Sequence, residues 1–235
     1  MINRIFLCLF SLLLCISLLG GCKSAAATDG NVSASDVAFL DTLTFLGDST
    51  TAHMQQRSKI PAARIWAAKD RYLNLDSRIT YAKIIAPDTG KEETIASVAA
   101  RLRPVRLVIT LGADYGVYYY RDKPEVFRLY YEKLLDAISA ASPETELILQ
   151  SVFPVAATCR VLTNEMIDRA NAVIREIAEK RGLFYVDQKP ILADKDGFLR
   201  PEFCFSDDGI HLTESAYSAI LSHLASLADE IGGSR

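Results

Sequence analysis

Five short apolar segments alternate with longer amphipathic segments along most of this chain, and this alternation limits the possible folds more than any other feature. The short segments contain few charges and lack the apolar–polar alternation of a strand that has one exposed face. They therefore predict strands whose two faces are both buried, as in a parallel sheet. The predicted strands are 41–46, 63–67, 105–111, 146–152 and 183–187.

The longer segments repeat apolar residues at the spacing of a helix with one buried face. The predicted helices are 91–102, 124–141, 164–181 and 214–230. Pro143 and Gly182 end two of them, and Thr213 is placed to cap the last. Strands that alternate with helices form right-handed crossovers in a doubly wound sheet. Since half of the 235 residues are hydrophobic, enough for one sizeable core, we expect a single α/β domain.

The N-terminus has the pattern of an export signal rather than of a folded domain. Arg4 gives it a positive charge, and the almost wholly apolar residues 5–19 are followed by Gly20 and Gly21. The apolar stretch is short for a membrane-spanning helix, and small residues at its end are typical of a cleavage site. The residues after the cut are small and polar, which favours a flexible tether. The predicted divisions are a signal peptide at 1–21, a tether at 22–38 and the folded domain at 39–235.

Cys22 directly follows this signal, in a pattern that resembles the lipobox of bacterial lipoproteins. The resemblance implies that Cys22 is lipidated and becomes the first residue of the mature chain. Its acyl chains would then hold the protein at a membrane surface outside the cytoplasm. The alternative is ordinary secretion with an incidental cysteine.

The predicted folded domain keeps two cysteines, Cys159 and Cys204. Outside the cytoplasm they either pair in a disulfide or remain two unpaired thiols. A bridge between them would brace the loop that precedes the last predicted helix. The sequence has no cysteine–histidine cluster with the spacing of zinc ligands, so we expect no metal site.

Ser49 follows the first predicted strand, at the edge of the sheet where chemistry is expected. Ligands of a doubly wound sheet bind outside the carboxyl ends of its strands, and the segment 112–115 after the third strand reaches the same edge. A serine hydroxyl is a weak nucleophile unless a base removes its proton. Ser49 is therefore either a helix cap or a nucleophile, depending on whether a histidine and a carboxylate reach it.

Three histidines follow the signal, and His211 is the best candidate for that base. His53 is expected to point away along the helix that follows the first strand, and His223 lies within the last predicted helix. Asp208 precedes His211 by three residues, across a turn that contains glycine, so its carboxylate can reach Nδ1 of the imidazole. That contact would fix the tautomer and leave Nε2 facing the serine. Asp207 is a rival with less natural geometry.

Two motifs, FLGDST at 45–50 and DGIHLT at 208–213, together resemble the SGNH (GDSL) hydrolase family in their order and in their positions within the domain. The resemblance covers roughly residues 40–230 and implies a flavodoxin-like three-layer α/β/α sandwich around a five-stranded parallel sheet. It also implies that Asp48, beside the nucleophile, is structural. The implied catalytic residues are the nucleophile Ser49, the base His211 and its partner Asp208.

The same resemblance implies an oxyanion hole with three donors, of which two are changed in this sequence. The donors are the backbone N–H of the serine, the N–H of a glycine after the second strand and the side-chain amide of an asparagine after the third. Ser49 supplies the first through its backbone. No glycine lies between Gly47 and Gly90, and Arg71 is expected at the glycine position. Asp114 stands where the asparagine is expected.

Asp114 is the more serious departure, because an ionised carboxylate accepts hydrogen bonds and cannot donate them. Loss of one oxyanion donor costs about 2.7–4 kcal/mol, or roughly 100- to 1000-fold in rate. Four alternatives remain open. Asp114 stays protonated and donates, it pairs with Arg71, a shifted loop supplies Tyr115 instead, or the site is degenerate.

These observations favour a lipid-anchored, extracytoplasmic serine esterase that acts on a small ester or an acylated glycan. O-acetyl groups of envelope glycans are the substrates that this location suggests. The alternative is a catalytically weak protein of the same fold that binds envelope glycan or helps to assemble it. The aromatic segment 115–120 would either stack on a sugar ring or pack its own loop.

The composition argues against other classes of function. With 26 Lys and Arg against 29 Asp and Glu, the formal charge is −3, so there is no electrostatic reason to expect a nucleic-acid partner. The sequence has no glycine-rich phosphate loop after the first strand, so we expect neither a flavin nor another cofactor. Nothing in the sequence indicates the oligomeric state, the acyl group or the alcohol of the substrate.

Overall fold

The structure, a computed structural model, describes residues 34–232. The predicted signal peptide, the predicted lipidation site Cys22 and most of the predicted tether at 22–38 lie outside the described residues. Helix α1 (Ala34–Leu40) includes the last residues of that predicted tether. Phe39 of α1, at the predicted start of the folded domain, is buried.

Residues 34–232 contain seven strands in two sheets. They are β1 (Leu43–Gly47), β2 (Ile65–Trp66), β3 (Lys83–Ile85), β4 (Glu92–Thr94), β5 (Arg106–Thr110), β6 (Glu146–Gln150) and β7 (Phe184–Val186). Five of them form a parallel sheet in the order β2-β1-β5-β6-β7, while β3 and β4 pair as a separate antiparallel ribbon. The predicted five-stranded parallel sheet is confirmed, and the ribbon is an addition to it.

Helices cover both faces of the parallel sheet. They are α2 (Ser49–Arg57), α3 (Ile95–Leu102), α4 (Pro124–Ala141), α5 (Asn164–Arg181), α6 (Lys189–Leu192), α7 (Glu214–Ser226) and α8 (Ala228–Gly232). Residues of α3, α4 and α5 share a hydrophobic core with one face of the sheet, and residues of α1, α2 and α7 share a second core with the other. Neighbouring residues of β1 point to the two faces, since Leu46 belongs to the first core and Phe45 to the second. The architecture is the predicted three-layer α/β/α sandwich.

The helices α4 and α5 have their predicted bounds, whereas two other predicted helices differ from the structure. The predicted helix 91–102 is strand β4 followed by α3, because the hydroxyl of Thr94 accepts a hydrogen bond from the N–H of Ser97 at 3.2 Å and caps the helix there. The predicted helix 214–230 is divided into α7 and α8. Between residues 34 and 232, no helix is long and apolar enough to cross a bilayer.

The order of the strands creates a crevice at one edge of the sheet. Strand β1 lies between β2 and β5, so successive connections leave β1 in opposite directions along the sheet. At such a switch point the loops that follow the two central strands separate and leave room for a ligand. The loops after β1 and β5 therefore define where a site is expected.

Candidate active site

Ser49 and Asp114 lie close together at this switch point because they follow the adjacent strands β1 and β5. The pairing of the two strands continues to Gly47, which lies opposite Thr110. A Cβ at Gly47 would overlap the carbonyl oxygen of Thr110, so only glycine fits where β1 ends. Ser49 begins α2 two residues later and is buried.

His211 brings a base to Ser49 from the loop that precedes α7. Its Nε2 lies 3.3 Å from Oγ of Ser49, and its Nδ1 lies 2.6 Å from Oδ2 of Asp208. Oδ1 of Asp208 accepts hydrogen bonds from the N–H groups of Ile210 at 2.8 Å and of His211 at 3.1 Å. When Nδ1 carries the proton that it donates to Asp208, Nε2 presents a lone pair to the serine. The structure thus brings together the three residues predicted as nucleophile, base and partner.

Asp208, rather than its neighbour Asp207, is the carboxylate that contacts His211. Burial acts to raise the pKa of Asp208, but the hydrogen bonds from the His211 side chain and from the N–H groups of Ile210 and His211 outweigh burial and lower this pKa well below its usual value. Such a carboxylate remains ionised throughout the range in which a histidine ordinarily titrates. It is therefore suited to hold the imidazole and to stabilise an imidazolium.

Backbone contacts hold the loop that carries His211. Gly209 has a φ of +74°, and its carbonyl accepts a hydrogen bond from the N–H of Ala156 at 2.8 Å. A Cβ at Gly209 would lie 2.8 Å from the backbone nitrogen of Cys159, so the close approach of the two loops also requires glycine. The N–H of Phe205 donates to the carbonyl of His211 at 2.7 Å and ties the other side of the loop.

Of the two states left open for Cys159 and Cys204, the structure has the unpaired one, with both cysteines free. The thiol of Cys204 donates to the carbonyl oxygen of Ser206 at 3.0 Å, and the sulfur of Cys159 accepts from the N–H of Leu162 at 3.5 Å. Each sulfur is thus engaged within its own loop. The close packing of Gly209 against the backbone of Cys159 braces the His211 loop without a disulfide.

Asp114 contacts Ser49 from the side opposite to His211 and uses both of its carboxyl oxygens. Oδ1 lies 2.6 Å from Oγ of Ser49, and Oδ2 accepts the Ser49 N–H at 2.9 Å. The hydroxyl of Ser49 has a single proton, yet both Oδ1 of Asp114 and Nε2 of His211 face it. The backbone N–H predicted as the first oxyanion donor is already bonded to Asp114. The protonation of Asp114 therefore determines which hydrogen bonds Ser49 makes.

Burial raises the pKa of Asp114, while its hydrogen bonds with Ser49 lower it and the charge of Asp70 raises it, with a net shift upward. Asp48, one residue before Ser49, is a second buried carboxyl. Burial and the charge of Asp114 raise the pKa of Asp48 to about 7. Asp48 and Asp114 therefore each hold a proton to higher pH than an exposed aspartate does.

Asp48 holds the loop after β5 in place, which agrees with the structural role that the family resemblance implies for it. Its Oδ2 accepts hydrogen bonds from the N–H groups of Gly112 at 3.0 Å and Ala113 at 2.9 Å, and its Oδ1 accepts from the hydroxyl of Thr50 at 3.0 Å. These bonds join the loop after β1 to the loop after β5 and set the position of Asp114. They also direct the N–H groups of Gly112 and Ala113 toward Asp48, so neither is free to bind an oxyanion.

Arg71 has the backbone conformation of a glycine but does not offer the expected N–H donor. Its φ is +69°, and its N–H donates to the carbonyl of Ala68 at 2.9 Å within a turn. Its guanidinium contacts Nε2 of His53 at 3.3 Å, and the pair between Arg71 and Asp114, one of the four alternatives left open, is not formed. The ring of Tyr115 stacks on another tyrosine at 4.1 Å between centroids, and among residues 34–232 it has no hydrogen bond to Ser49.

His53 belongs to the site, although it was expected to point away from the chemistry. Its ring centroid lies 4.3 Å from that of His211. The available signal was its spacing, because residues four apart on a helix share a face, and His53 lies four positions after Ser49. No group of three or more His, Cys, Asp or Glu side chains within residues 34–232 is arranged to hold a metal ion.

A parallel sheet with this strand order, a serine after β1 and a histidine before α7 define an SGNH-type hydrolase fold. A sequence profile of the GDSL-like lipase/acylhydrolase family matches residues 45–219, and the chain belongs to this family. The general activity that this membership supports is the hydrolysis of esters. A comparison with curated proteins gives no match.

Solved structures support the same fold at low sequence identity. A protein from Streptococcus pneumonia named as a candidate platelet activating factor is 16% identical with a TM-score of 0.53, over 83% of this chain and 91% of that one. A candidate acylhydrolase from Bacteroides fragilis is 13% identical with a TM-score of 0.52, over 82% and 88% of the two chains. An active-site mutant of a family two carbohydrate esterase from Clostridium thermocellum is 13% identical with a TM-score of 0.51, over 82% and 64%.

Proposed function

We propose that this protein is a serine esterase in which Ser49 attacks the ester carbonyl, His211 accepts its proton and Asp208 orients His211. The observation that carries the proposal is the continuous line of contacts from Asp208 to His211 at 2.6 Å and from His211 to Ser49 at 3.3 Å. A helix-capping serine would need neither partner. Membership of an acylhydrolase family supports the same chemistry.

The reaction proceeds in two steps on the same three residues. As Oγ of Ser49 bonds to the ester carbon, Nε2 of His211 takes the hydroxyl proton and then gives it to the leaving alcohol. A water molecule next attacks the acyl carbon and loses a proton to Nε2. His211 returns this proton to Oγ of Ser49 as the bond between Oγ and the acyl carbon breaks, which releases the acid and restores the hydroxyl. The ionised Asp208 stabilises the imidazolium that forms in each step.

A neutral Asp114 reconciles all the contacts of Ser49 with this mechanism. Its protonated Oδ1 donates to Oγ of Ser49, which leaves the hydroxyl proton for Nε2 of His211, while Oδ2 still accepts the Ser49 N–H. When the substrate carbonyl oxygen becomes an anion, the acid O–H is the donor that an asparagine amide would otherwise supply. The upward shift of the Asp114 pKa supports this role.

A second candidate function follows from the other protonation state. An ionised Asp114 would hold the Ser49 hydroxyl at 2.6 Å and occupy its N–H at 2.9 Å, so that no oxyanion could form there. The protein would then be catalytically weak and would bind or help to assemble envelope glycan. The two candidates differ in whether Ser49 reacts at neutral pH.

We further propose an acylated envelope glycan as the substrate and a lipid anchor at Cys22 outside the cytoplasm. The export signal followed by a cysteine supports the location. Exposed aromatic rings support a sugar ligand, because Tyr118 and Tyr119 are 40% and 55% exposed in the loop after Asp114. One of the proteins that share the fold is, by its name, a carbohydrate esterase.

A fluorophosphonate probe tests the proposed nucleophile, because it labels only an activated serine. We expect labelling of wild type at Ser49, seen by peptide mass spectrometry, and no labelling of His211→Ala. Hydrolysis of 4-nitrophenyl acetate and release of acetate from O-acetylated glycan should follow the same pattern. If wild type takes no label and hydrolyses neither ester, the esterase is excluded and the glycan-binding alternative is favoured.

Metabolic labelling with a palmitate analogue tests the anchor separately. Label and membrane fractionation should both be present in wild type and absent in Cys22→Ala. A secreted, unlabelled wild-type protein would contradict the anchor and leave the esterase proposal standing.

A further inference from the structure

A cluster of cationic side chains lies beside His211 and is not used by the mechanism above. His53 is at its centre, with the guanidinium of Arg57 at 3.3 Å from Nδ1 and the guanidinium of Arg71 at 3.3 Å from Nε2. The ring of His53 is also packed against that of His211. Arg57 lies one helical turn after His53 on α2, whereas Arg71 comes from the turn after β2.

The hydrogen bonds of His53 cannot all be satisfied by this cluster. A neutral imidazole has one acceptor nitrogen and one N–H, while each guanidinium offers only donors. One of the two contacts therefore places a donor against a donor. Burial and the neighbouring charges of His211, Arg57 and Arg71 lower the pKa of His53 to about 4, so the ring does not add a charge at neutral pH. The cluster therefore has one hydrogen-bond acceptor too few for its donors, and an acceptor with a negative charge would complete it.

The acidic residues around the cluster do not supply that acceptor. Among residues 34–232, neither Arg57 nor Arg71 forms an ion pair with a carboxylate. Asp208 is bonded to His211, and the carboxylate of Asp70 accepts the N–H of Tyr72 at 3.0 Å. Two guanidinium groups therefore contact His53, the neighbour of His211, and neither has an ion-pair partner among the described residues.

The two arginines differ in how they are held. Arg57 is half-buried, lies over the ring of Phe205 at 3.4 Å and donates to the carbonyl of Leu212 at 3.2 Å. Arg71 is exposed, and within residues 34–232 its one hydrogen-bond partner outside its own turn is His53. Its backbone has a φ of +69°, in the left-handed region that residues with a Cβ rarely adopt. Strained backbone of this kind is concentrated at sites that bind ligands.

We propose that Arg71, with Arg57 behind it, binds an oxyanion group of the substrate, either a carboxylate or a phosphate monoester. A guanidinium offers two parallel N–H donors that match such a group. An oxygen of the ligand would also supply the acceptor that the His53 cluster lacks. Because His53 contacts His211, the anion would lie within about one sugar residue of the ester that is cleaved.

This inference rests on the proposed esterase function and narrows its substrate class to esters of acidic glycans. A neutral acetylated sugar would leave Arg71 unpaired. An acetylated uronic acid or sugar phosphate would bring the missing negative charge. Because Arg71 does not contact Ser49 in the structure, it acts by recognising substrate and not by activating the nucleophile.

A matched set of esters tests the proposal. The probes are an O-acetylated methyl glucuronoside, the same ester of methyl glucoside, and the same ester of glucose 6-phosphate. Wild type should hydrolyse at least one anionic ester with a kcat/KM roughly 10- to 100-fold above that of the neutral one, as expected for a charged hydrogen bond. Arg71→Gln should remove this preference mainly through KM. The two anionic probes distinguish a carboxylate from a phosphate.

Arg103→Gln is the matched control, because Arg103 is the other non-glycine residue within 34–232 that has a positive φ, at +44°, and it is exposed beside Glu144. It precedes β5, at the opposite edge of the sheet, and should leave both the preference and the activity unchanged. A wild-type preference near one, or a preference that survives in Arg71→Gln, would overturn the inference without touching the esterase proposal.

Calorimetric titration keeps the inference testable if no ester is cleaved. Ser49→Ala titrated with glucuronate and with glucose 6-phosphate should bind at least one of them. The double variant with Arg71→Gln should lose this binding, and glucose should bind neither protein. Binding that is lost in this way would support the anion site even if the esterase proposal failed. Equal binding by both variants, or none by Ser49→Ala, would refute the site.

Discussion

The contacts of Ser49 with His211 and its contacts with Asp114 differ in whether their donors and acceptors match. On one side, Asp208 and His211 lie three positions apart in a single loop, and every donor meets one acceptor. On the other side, Asp114 arrives from a strand 65 positions away and adds a further acceptor to a hydroxyl that has one proton. The base side is therefore complete as folded, whereas the oxyanion side works only if Asp114 is protonated.

Asp48 explains why the oxyanion side depends on a single group. Its carboxylate takes the N–H groups of Gly112 and Ala113, which would otherwise be candidate donors near the serine. The N–H of Arg71 is used within its own turn. The backbone donors of these loops are thus used to hold the loops together. Asp114 remains as the side chain that can donate to an oxyanion.

The largest expected effect is on the base side. Ser49→Ala and His211→Ala should each reduce kcat for 4-nitrophenyl acetate by about 10,000-fold or more, because the members of such a unit act together. His223→Gln is the matched control. His223 is hydrogen-bonded to Gln188 and takes no part in the proposed mechanism, so its replacement should leave kcat unchanged. Residual activity of His211→Ala close to that of wild type would show that Asp114, and not His211, serves as the base.

The second effect tests the oxyanion side. Asp114→Ala should lower kcat roughly 100- to 1000-fold, as expected for the loss of one oxyanion donor. Asp114→Asn should keep most of the activity, because its amide donates without needing a proton from solvent. Both variants are compared by kcat at several pH values.

The dependence of kcat on pH tests whether Asp114 must be protonated. Burial raises the pKa of Asp114, so its neutral, donating form persists to higher pH than for an exposed aspartate. Wild-type kcat should fall as the pH rises through that pKa, and Asp114→Asn should lack this fall. If Asp114→Asn is far more active than wild type at every pH, Asp114 acts as an ionised inhibitor of Ser49, and the catalytically weak alternative is correct.

A smaller effect tests how the His211 loop is held. Gly209→Ala combines a positive φ with a Cβ 2.8 Å from the backbone of Cys159, and should lower the free energy of unfolding by about 2 kcal/mol or more. It should also lower kcat, since His211 moves with the loop. Gly182→Ala is the matched control, because Gly182 has a φ of +65° but a Cβ added there would meet no atom within 4 Å. Denaturant unfolding should show only the backbone cost there, with kcat unchanged.

Local patterns predicted one side of the site better than the other. Strands and helices were read from apolar spacing, and Ser49, Asp208 and His211 each follow from a short motif. The contact of Arg71 with His53 forms because the Arg71 side chain reaches back to α2, and no local pattern in the sequence specifies such a contact. The same is true of the hydrogen bonds of Asp114, since they depend on the loop geometry that Asp48 imposes.

The features that were not predicted from the sequence also have physical causes. The strands β3 and β4 are three residues each and carry no apolar repeat, so their pairing is visible only in the fold. The sequence left the state of Cys159 and Cys204 open, because two loops at the same edge of a sheet do not fix the orientation of the side chains that they carry. His53 was set aside on helix direction, although its spacing from Ser49 predicted a shared face.

The last and smallest expected effect on activity concerns Asp48, where stability is the better measurement. The pKa of Asp48 is raised from an ordinary value near 3.8 to about 7 by burial and by the charge of Asp114. The folded protein therefore binds more protons than the unfolded chain between these values, and the free energy of unfolding should fall as the pH rises from about 4 to about 7. The slope should be at most about 1.4 kcal/mol per pH unit. Asp48→Asn keeps an oxygen for Gly112 and Ala113 but cannot ionise, so this slope should disappear from its urea-unfolding profile. A slope that persists would assign the pH dependence to another group, with Asp114 as the candidate, because burial raises its pKa as well.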